Sequence, residues 1–259
     1  MVKLLIIADD FTGALDTGIQ FKKYGICTQV FTKTRIEDNE INPDTEVLVI
    51  DSESRPLTKE EAYLEVLNIT KWAISKGIEI IFKKTDSALR GNIGAELKAV
   101  ADAAGEENLF FMPGYPEIHR ITKNGMHYID GELLENSVFG KDPFEPVKSC
   151  LLYTSDAADD RINEQSCITV RCVQSGEKIP ESRKEDSSII VCDTVTTEDI
   201  DKRLEELQEK KCLKFIAGCA GLAARLVWKL PFEKKDGQMF RQTKALYVAC
   251  GSLNKITEK

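Results

Sequence analysis

Apolar residues along the chain fall into short continuous runs, separated by stretches with helical spacing. "KLLIIA" (3–8), "CTQVFT" (27–32), "EVLVID" (46–51), "IEIIFKK" (78–84) and "LFFM" (109–112) read as strands. Runs that are apolar at consecutive positions fit strands buried on both faces. Helices are predicted from about Ala14 to Tyr24 before Gly25, and over "KEEAYLEVLNITKWAISK" behind a Thr58 cap and ahead of Gly77. A third runs from Asn92 to Ala104 and is closed by Gly105. A capping hydroxyl before a first turn and a glycine after a last one mark helix ends.

Beyond residue 112 the pattern continues. "GMHYIDGELL" (125–134) reads as a β-hairpin on Asp130-Gly131, a pair suited to a type I′ turn. "SIIVCD" (188–193) is a strand, "TVTTEDI" starts a helix to about Lys211, and "LKFIAG" (213–218) leads into the helix "AGLAARLVWKL". "ALYVAC" (245–250) reads as a last strand, and "SGEKIPESRKEDS" (175–187) as an exposed loop. The run "CLLYTSDAADD" (150–160) interrupts the alternation and resembles translated adapter sequence, so it receives no element. Alternating strands and helices predict an α/β fold, a mostly parallel Rossmann-like sheet with helices on both faces plus a small β-hairpin. Ligands of such sheets bind beyond the carboxyl ends of the strands. That gathers the loops "ADDFTGA", "DSESR", "KKTDSALRG" and "MPGYPEIHRITKNG" at one edge.

Composition narrows the function. The 259 residues are 42% apolar and 30% charged, which is ordinary globular usage with enough apolar surface for a core. A net charge of -8 disfavours nucleic acid and anionic membrane as partners, so an anionic ligand needs a local basic cluster. No apolar run approaches the roughly 20 residues of a membrane-spanning helix. The first apolar run is too short for a secretory signal. A cytoplasmic location is therefore expected. The eight cysteines form no CxxC pair and are expected as free thiols, with no metal site.

Several polar clusters could carry chemistry. Asp9 and Asp10 end the first strand, where paired carboxylates can accept from sugar hydroxyls, hold Mg²⁺ or act as a base. They can equally cap the following helix, which Thr12 and Gly13 open. Lys83 and Lys84 are successive on a strand and point to opposite faces, so only one can reach the site. Asp86 and Ser87 suit hydroxyls, and Arg90 suits a carboxylate clamped by two parallel bonds. Arg55 sits in an extended segment before Pro56 and reads as an anion contact or an ordinary surface arginine. His119, Arg120 and Lys123 make "PGYPEIHRITKNG" a basic loop able to close over substrate. "GCAGLAARL" is not GxGxxG and there is no GxxxxGK[ST], which argues against a dinucleotide fold and a P-loop.

Taken together, "ADDFTGALDTGIQF", "DSESR", "KKTDSALRGNIGAEL", "PGYPEIHRITKNGMHYIDGELL", "GCAGLA" and "GSLNKIT" resemble the four-carbon acid sugar kinase family. The resemblance implies ATP-dependent phosphorylation of a tetronate, such as threonate or erythronate, at its terminal hydroxyl. It implies that residues 1–240 form the acid-sugar-binding N-terminal domain and that 241–259 begin a truncated nucleotide-binding domain. By the same resemblance, Asp10, Arg55, Lys84, Thr85, Asp86 and Ser87 contact the acid sugar; position and side-chain chemistry add Asp9 and Arg90 to that set and make Asp10 the candidate to act on the acceptor hydroxyl. Ser252 is implied at ATP, and ATP with Mg²⁺ mainly at the missing part. The family usually has Gly-Arg-Thr-Thr where this chain has "HRIT" (119–122), and often a serine where Cys219 stands. A non-catalytic acid-sugar-binding module and a Rossmann-type oxidoreductase are the alternative readings. A homo-oligomer is left open.

Overall fold

The computed structural model describes residues 2–105, 108–142, 146–147, 169–180 and 188–233. Eight parallel strands form one sheet, in the order β2-β3-β1-β4-β11-β5-β10-β9. These are β1 (Leu4–Ala8), β2 (Thr28–Phe31), β3 (Val47–Asp51), β4 (Ile80–Lys84), β5 (Leu109–Met112), β9 (Thr169–Val173), β10 (Ser188–Cys192) and β11 (Phe215–Gly218). Helices α1 (Phe11–Lys22), α4 (Thr197–Glu209) and α5 (Ala220–Lys229) cover one face, where Ala14, Phe21, Leu204 and Leu226 join Leu4, Ile6 and Phe82. Helices α2 (Lys59–Ser75) and α3 (Ile93–Ala104) cover the other, where Val66 and Val100 join Leu5, Ile7 and Ile81. The α/β fold with helices on both faces is as the apolar runs indicate.

Local rules account for most boundaries. Thr58 and Glu61 form a capping box on α2, and Thr196 and Asp199 form one on α4. Each box satisfies two backbone N–H groups that the first turn leaves open. Helix α1 begins at Phe11 rather than Ala14, because the Asp10 carboxylate accepts from the Gly13 N–H and starts the helix early. Asn92 precedes α3 without capping it. Its amide donates instead to the Ser54 and Leu57 carbonyls, which ties down the loop carrying Arg55.

The small hairpin is part of a three-stranded antiparallel sheet, β6 (Arg120–Lys123), β7 (Met126–Ile129) and β8 (Glu132–Leu133). The predicted Asp130-Gly131 turn joins β7 to β8 with positive φ at both residues. A second turn of the same kind, Asn124-Gly125, joins β6 to β7. Strand β6 therefore replaces the end of a predicted loop. Edge strand β9, half exposed along its length, was likewise not anticipated. His119 takes φ 56, the left-handed region that favours glycine, the residue that the resemblance implies at this place. The predicted strand 245–250, the boundary near 240, Ser252 and the run 150–160 lie outside the described residues.

Candidate functional site

The carboxyl ends of β1, β3 and β4 meet at a point where the chain leaves the sheet toward opposite faces, α1 on one and α3 on the other. A crevice opens at such a switch in open α/β sheets. Asp9 and Asp10 follow β1, Arg55 follows β3, and Lys84 to Asp86 end β4. Five of the predicted residues form one ionic cluster. Arg55 donates through Nε to Asp9 Oδ2 at 2.8 Å. Its Nη2 lies 2.7 Å from Asp9 Oδ2, 2.9 Å from Asp10 Oδ1 and 3.8 Å from Asp86 Oδ1. Lys84 Nζ bridges Asp9 Oδ1 and Asp10 Oδ1, at 3.0 Å each.

Burial makes these contacts strong. Asp9 and Lys84 are almost fully buried, and an ion removed from water is tolerated only with good partners. Burial alone would raise the Asp9 carboxyl, but the charges of Lys84, Lys83 and Arg55 outweigh it and hold Asp9 below the ordinary range. Burial would lower the Lys84 ammonium, but Asp9 and Asp10 raise it instead. The capping reading of Asp10 and its site reading are both realised, since Oδ1 caps α1 and faces two cations. All of its contacts fall on Oδ1. Among the described residues Asp10 Oδ2 has no partner.

Asp86 is held differently. Arg90 clamps it through Nε at 2.9 Å and Nη2 at 3.0 Å, and the Ala88 N–H adds a third bond. Burial opposes ionisation here too, but the Arg90 bonds and charge keep Asp86 well below the carboxylate range. The two-bond clamp predicted for Arg90 thus closes on a neighbour within its own loop. Thr85 is brought beneath the site rather than onto it. It is fully buried, its N–H donates to Gly218 O at 2.8 Å, and its Oγ1 is unpartnered among the described residues. Ser87 accepts from Arg120 Nη1.

Three supporting groups, Glu96, Ser54 and His127, were missed by the sequence reading. Lys83 reaches Glu96 Oε2 at 3.1 Å on the opposite face of the sheet and donates to Lys84 O. Ser54 donates to the same Glu96, linking the Arg55 loop to α3. His127 Nε2 contacts Ser87 O at 3.0 Å, while its Nδ1 contacts Thr122 Oγ1 at 3.0 Å. A carbonyl can only accept, so Nε2 carries the proton and Nδ1 accepts from Thr122. Burial lowers the His127 pKa to about 4 and keeps the ring neutral. Arg120, noticed only as part of a basic loop, stands at the site edge. Alternation along a strand foretold the divergence of Lys83 and Lys84, but nothing local pointed to Glu96 or His127.

The family model for a sugar-binding N-terminal domain matches residues 4–226. The chain belongs to this family. It is 29% identical over 261 residues to the D-threonate kinase of Salmonella typhimurium, aligned over 100% of this chain and 60% of that protein. It is 30% identical over 207 residues to the D-erythronate kinase of Heliobacterium modesticaldum, covering 78% of this chain and 47% of that one. The chain therefore spans about half to three fifths of these relatives. A Bordetella bronchiseptica protein, crystallised with bound citrate as a domain-swapped dimer, superposes with a TM-score of 0.73 at 26% identity. That match covers 88% of this chain and 57% of the other. The relationship to four-carbon acid sugar kinases read from "ADDFTGA" and "KTDSALRGNIGAE" is borne out.

Proposed function

We propose that this chain binds a four-carbon sugar acid at the strand-tip cluster and presents its terminal hydroxyl for ATP-dependent phosphorylation. The observation that carries this reading is the asymmetry of Asp10. One oxygen is fixed by Gly13, Lys84 and Arg55, and the other is left for a ligand hydroxyl. Asp9 and Asp86 differ, since both of their oxygens are already engaged. The names of the tetronate kinase relatives and the citrate bound to the Bordetella protein support a small hydroxylated carboxylate as ligand.

In this reading Asp10 Oδ2 accepts the hydrogen bond of the acceptor hydroxyl and aims its oxygen at the phosphoryl group. ATP with Mg²⁺ supplies the phosphoryl donor. As the new P–O bond forms, the bond from the γ-phosphorus to the β,γ-bridging oxygen breaks, ADP leaves with that oxygen, and the hydroxyl proton passes to Asp10. Phosphoryl transfer relies on positioning and charge stabilisation more than on a strong base, so a carboxylate held by two cations suffices. The ionic cluster of Asp9, Arg55, Lys84 and Asp86 fixes Asp10, Thr85 lies beneath it, and Ser87 and Arg90 shape the adjoining wall. We assign the nucleotide half of the reaction to sequence that the relatives carry beyond the matched region. A binding module without catalysis remains the second reading, favoured by the family's sugar-binding description.

Asp10→Asn tests the proposal in a protein carrying both halves. Turnover of threonate or erythronate is expected to fall about 100-fold or more while affinity changes little. Unchanged turnover would remove Asp10 from the role. The 259-residue chain alone is expected to bind tetronate in calorimetry and to transfer little phosphate. Absence of tetronate binding would end the sugar-acid reading.

A further inference from the structure

The site cations are not equally available. Arg55 is paired with Asp9 and Asp10 and lies near Asp86, Lys84 bridges Asp9 and Asp10, and Arg90 is clamped on Asp86. Those three cations face three carboxylates, so their charges are matched within the protein. A ligand carboxylate approaching Arg55 or Lys84 would also approach Asp9 or Asp10, and like charges repel.

Arg120 breaks the balance. Among the described residues its guanidinium pairs with no carboxylate. Among them it donates one hydrogen bond, to Ser87 Oγ, and it lies against the Phe139 ring at 5.0 Å. A guanidinium has five N–H donors, so most remain for a ligand. The Ser87 hydroxyl accepts from Arg120, which leaves its own O–H to donate. The arm that carries Arg120 is fixed. Its backbone pairs with Ile129 on β7 and bonds in both directions with Tyr115. Phe139 also lies 5.4 Å from Arg90, so one ring backs both guanidinium groups. Ser87 itself is held from behind by His127.

We infer that Arg120, with the Ser87 hydroxyl, is the seat of the substrate carboxylate. This rests on the sugar-acid reading and fixes the ligand's direction. The carboxylate lies toward Arg120 and the polyol end toward the acidic cluster, which brings the terminal hydroxyl to Asp10. Arg55, Lys84 and Arg90 then act by holding the aspartates rather than by taking the anion. Within 119–122 this chain differs from the Gly-Arg-Thr-Thr pattern at His119 and Ile121, whereas Arg120, the group that recognises charge, matches it.

Calorimetry with a tetronate and its tetronamide, in which an uncharged amide replaces the carboxylate, tests this. The wild-type chain is expected to prefer the tetronate about tenfold or more, the size of one charge-assisted hydrogen-bond pair. Arg120→Gln should abolish the preference by weakening the tetronate alone. Arg120→Lys, which keeps the charge but loses the planar fork, should retain part of it. A preference unchanged in both variants, or equal weakening of both ligands, would overturn the assignment while leaving the sugar-acid site standing. A wild-type chain that binds neither ligand would overturn both. Should Arg120→Gln fail to fold, Arg120→Lys carries the test, and a full preference there counts against the seat.

Discussion

Lys83 and Lys84 are neighbours in sequence, yet their ammonium groups meet different carboxylates on opposite faces of the sheet. Lys84 Nζ bridges Asp9 and Asp10 beside α1, whereas Lys83 Nζ meets Glu96 of α3. Successive side chains on a strand diverge in this way. Strand β4 can bury both lysines because each finds an anion. The candidate site thus stands on a second ionic layer below it, joined to the Arg55 loop through Ser54 and Glu96.

That lower layer should be costly to break on one side only. Lys83→Met would leave the Glu96 carboxylate buried without its cation, and burial already raises Glu96. A loss of about 3–5 kcal/mol is expected in urea unfolding. The pair Lys83→Met with Glu96→Leu should recover most of it. A double variant as unstable as the single one would mean that the ion pair is not the source of the loss.

Gly13 separates helix propensity from site geometry. A Cβ there would stand 1.8 Å from Lys84 Nζ and 2.5 Å from Asp10 Oδ1. Alanine favours an exposed helix interior over glycine by about 1 kcal/mol. The contact outweighs that gain, because the displaced lysine holds two carboxylates. Gly13→Ala is expected to leave thermal stability unimproved and to weaken tetronate binding about tenfold or more, in melting and calorimetry. Unimpaired binding would show that the Lys84 bridge does not shape the site.

His127 predicts a pH dependence of stability. Burial dominates the lowering of its pKa to about 4, and the Arg120 charge adds to it. The bond to Ser87 O and the Asp86 carboxylate oppose this. The unfolded imidazole takes up a proton near pH 6.5, so the contribution is complete above that value. It falls as pH drops toward 4, by about 3 kcal/mol in all. Asp9 and Asp86, both depressed, lose their contributions at lower pH still. His127→Gln should flatten the slope between pH 6.5 and 4 in denaturant titrations. An unchanged slope would place the linkage elsewhere.

Much of this was legible because it depends on local pattern. The apolar runs located the sheet, Thr58 and Thr196 marked helix starts, and the spacing after each strand gathered Asp9, Asp10, Arg55, Lys84 and Asp86 at one edge. The Asn124-Gly125 turn carried a signal of equal quality to Asp130-Gly131, yet β6 was absorbed into a loop rich in proline and charge. Strand β9 escaped because its exposed alternation follows a stretch without a readable pattern. The availability of each cation could not be read at all. It depends on which carboxylates lie within 4 Å, and Asp86 rather than a ligand closes the Arg90 fork.

The parallel order of strands has a consequence for how the chain is made. β4 pairs on one side with β1 but on the other with β11, and the Thr85 N–H donates to Gly218 O at the end of β11. During synthesis, the loop bearing Lys84 and Asp86 must wait for nearly the whole described chain before its floor exists. Products that stop short of β11 lack that acceptor and the strand beside β4, even when they contain every residue of the candidate cluster.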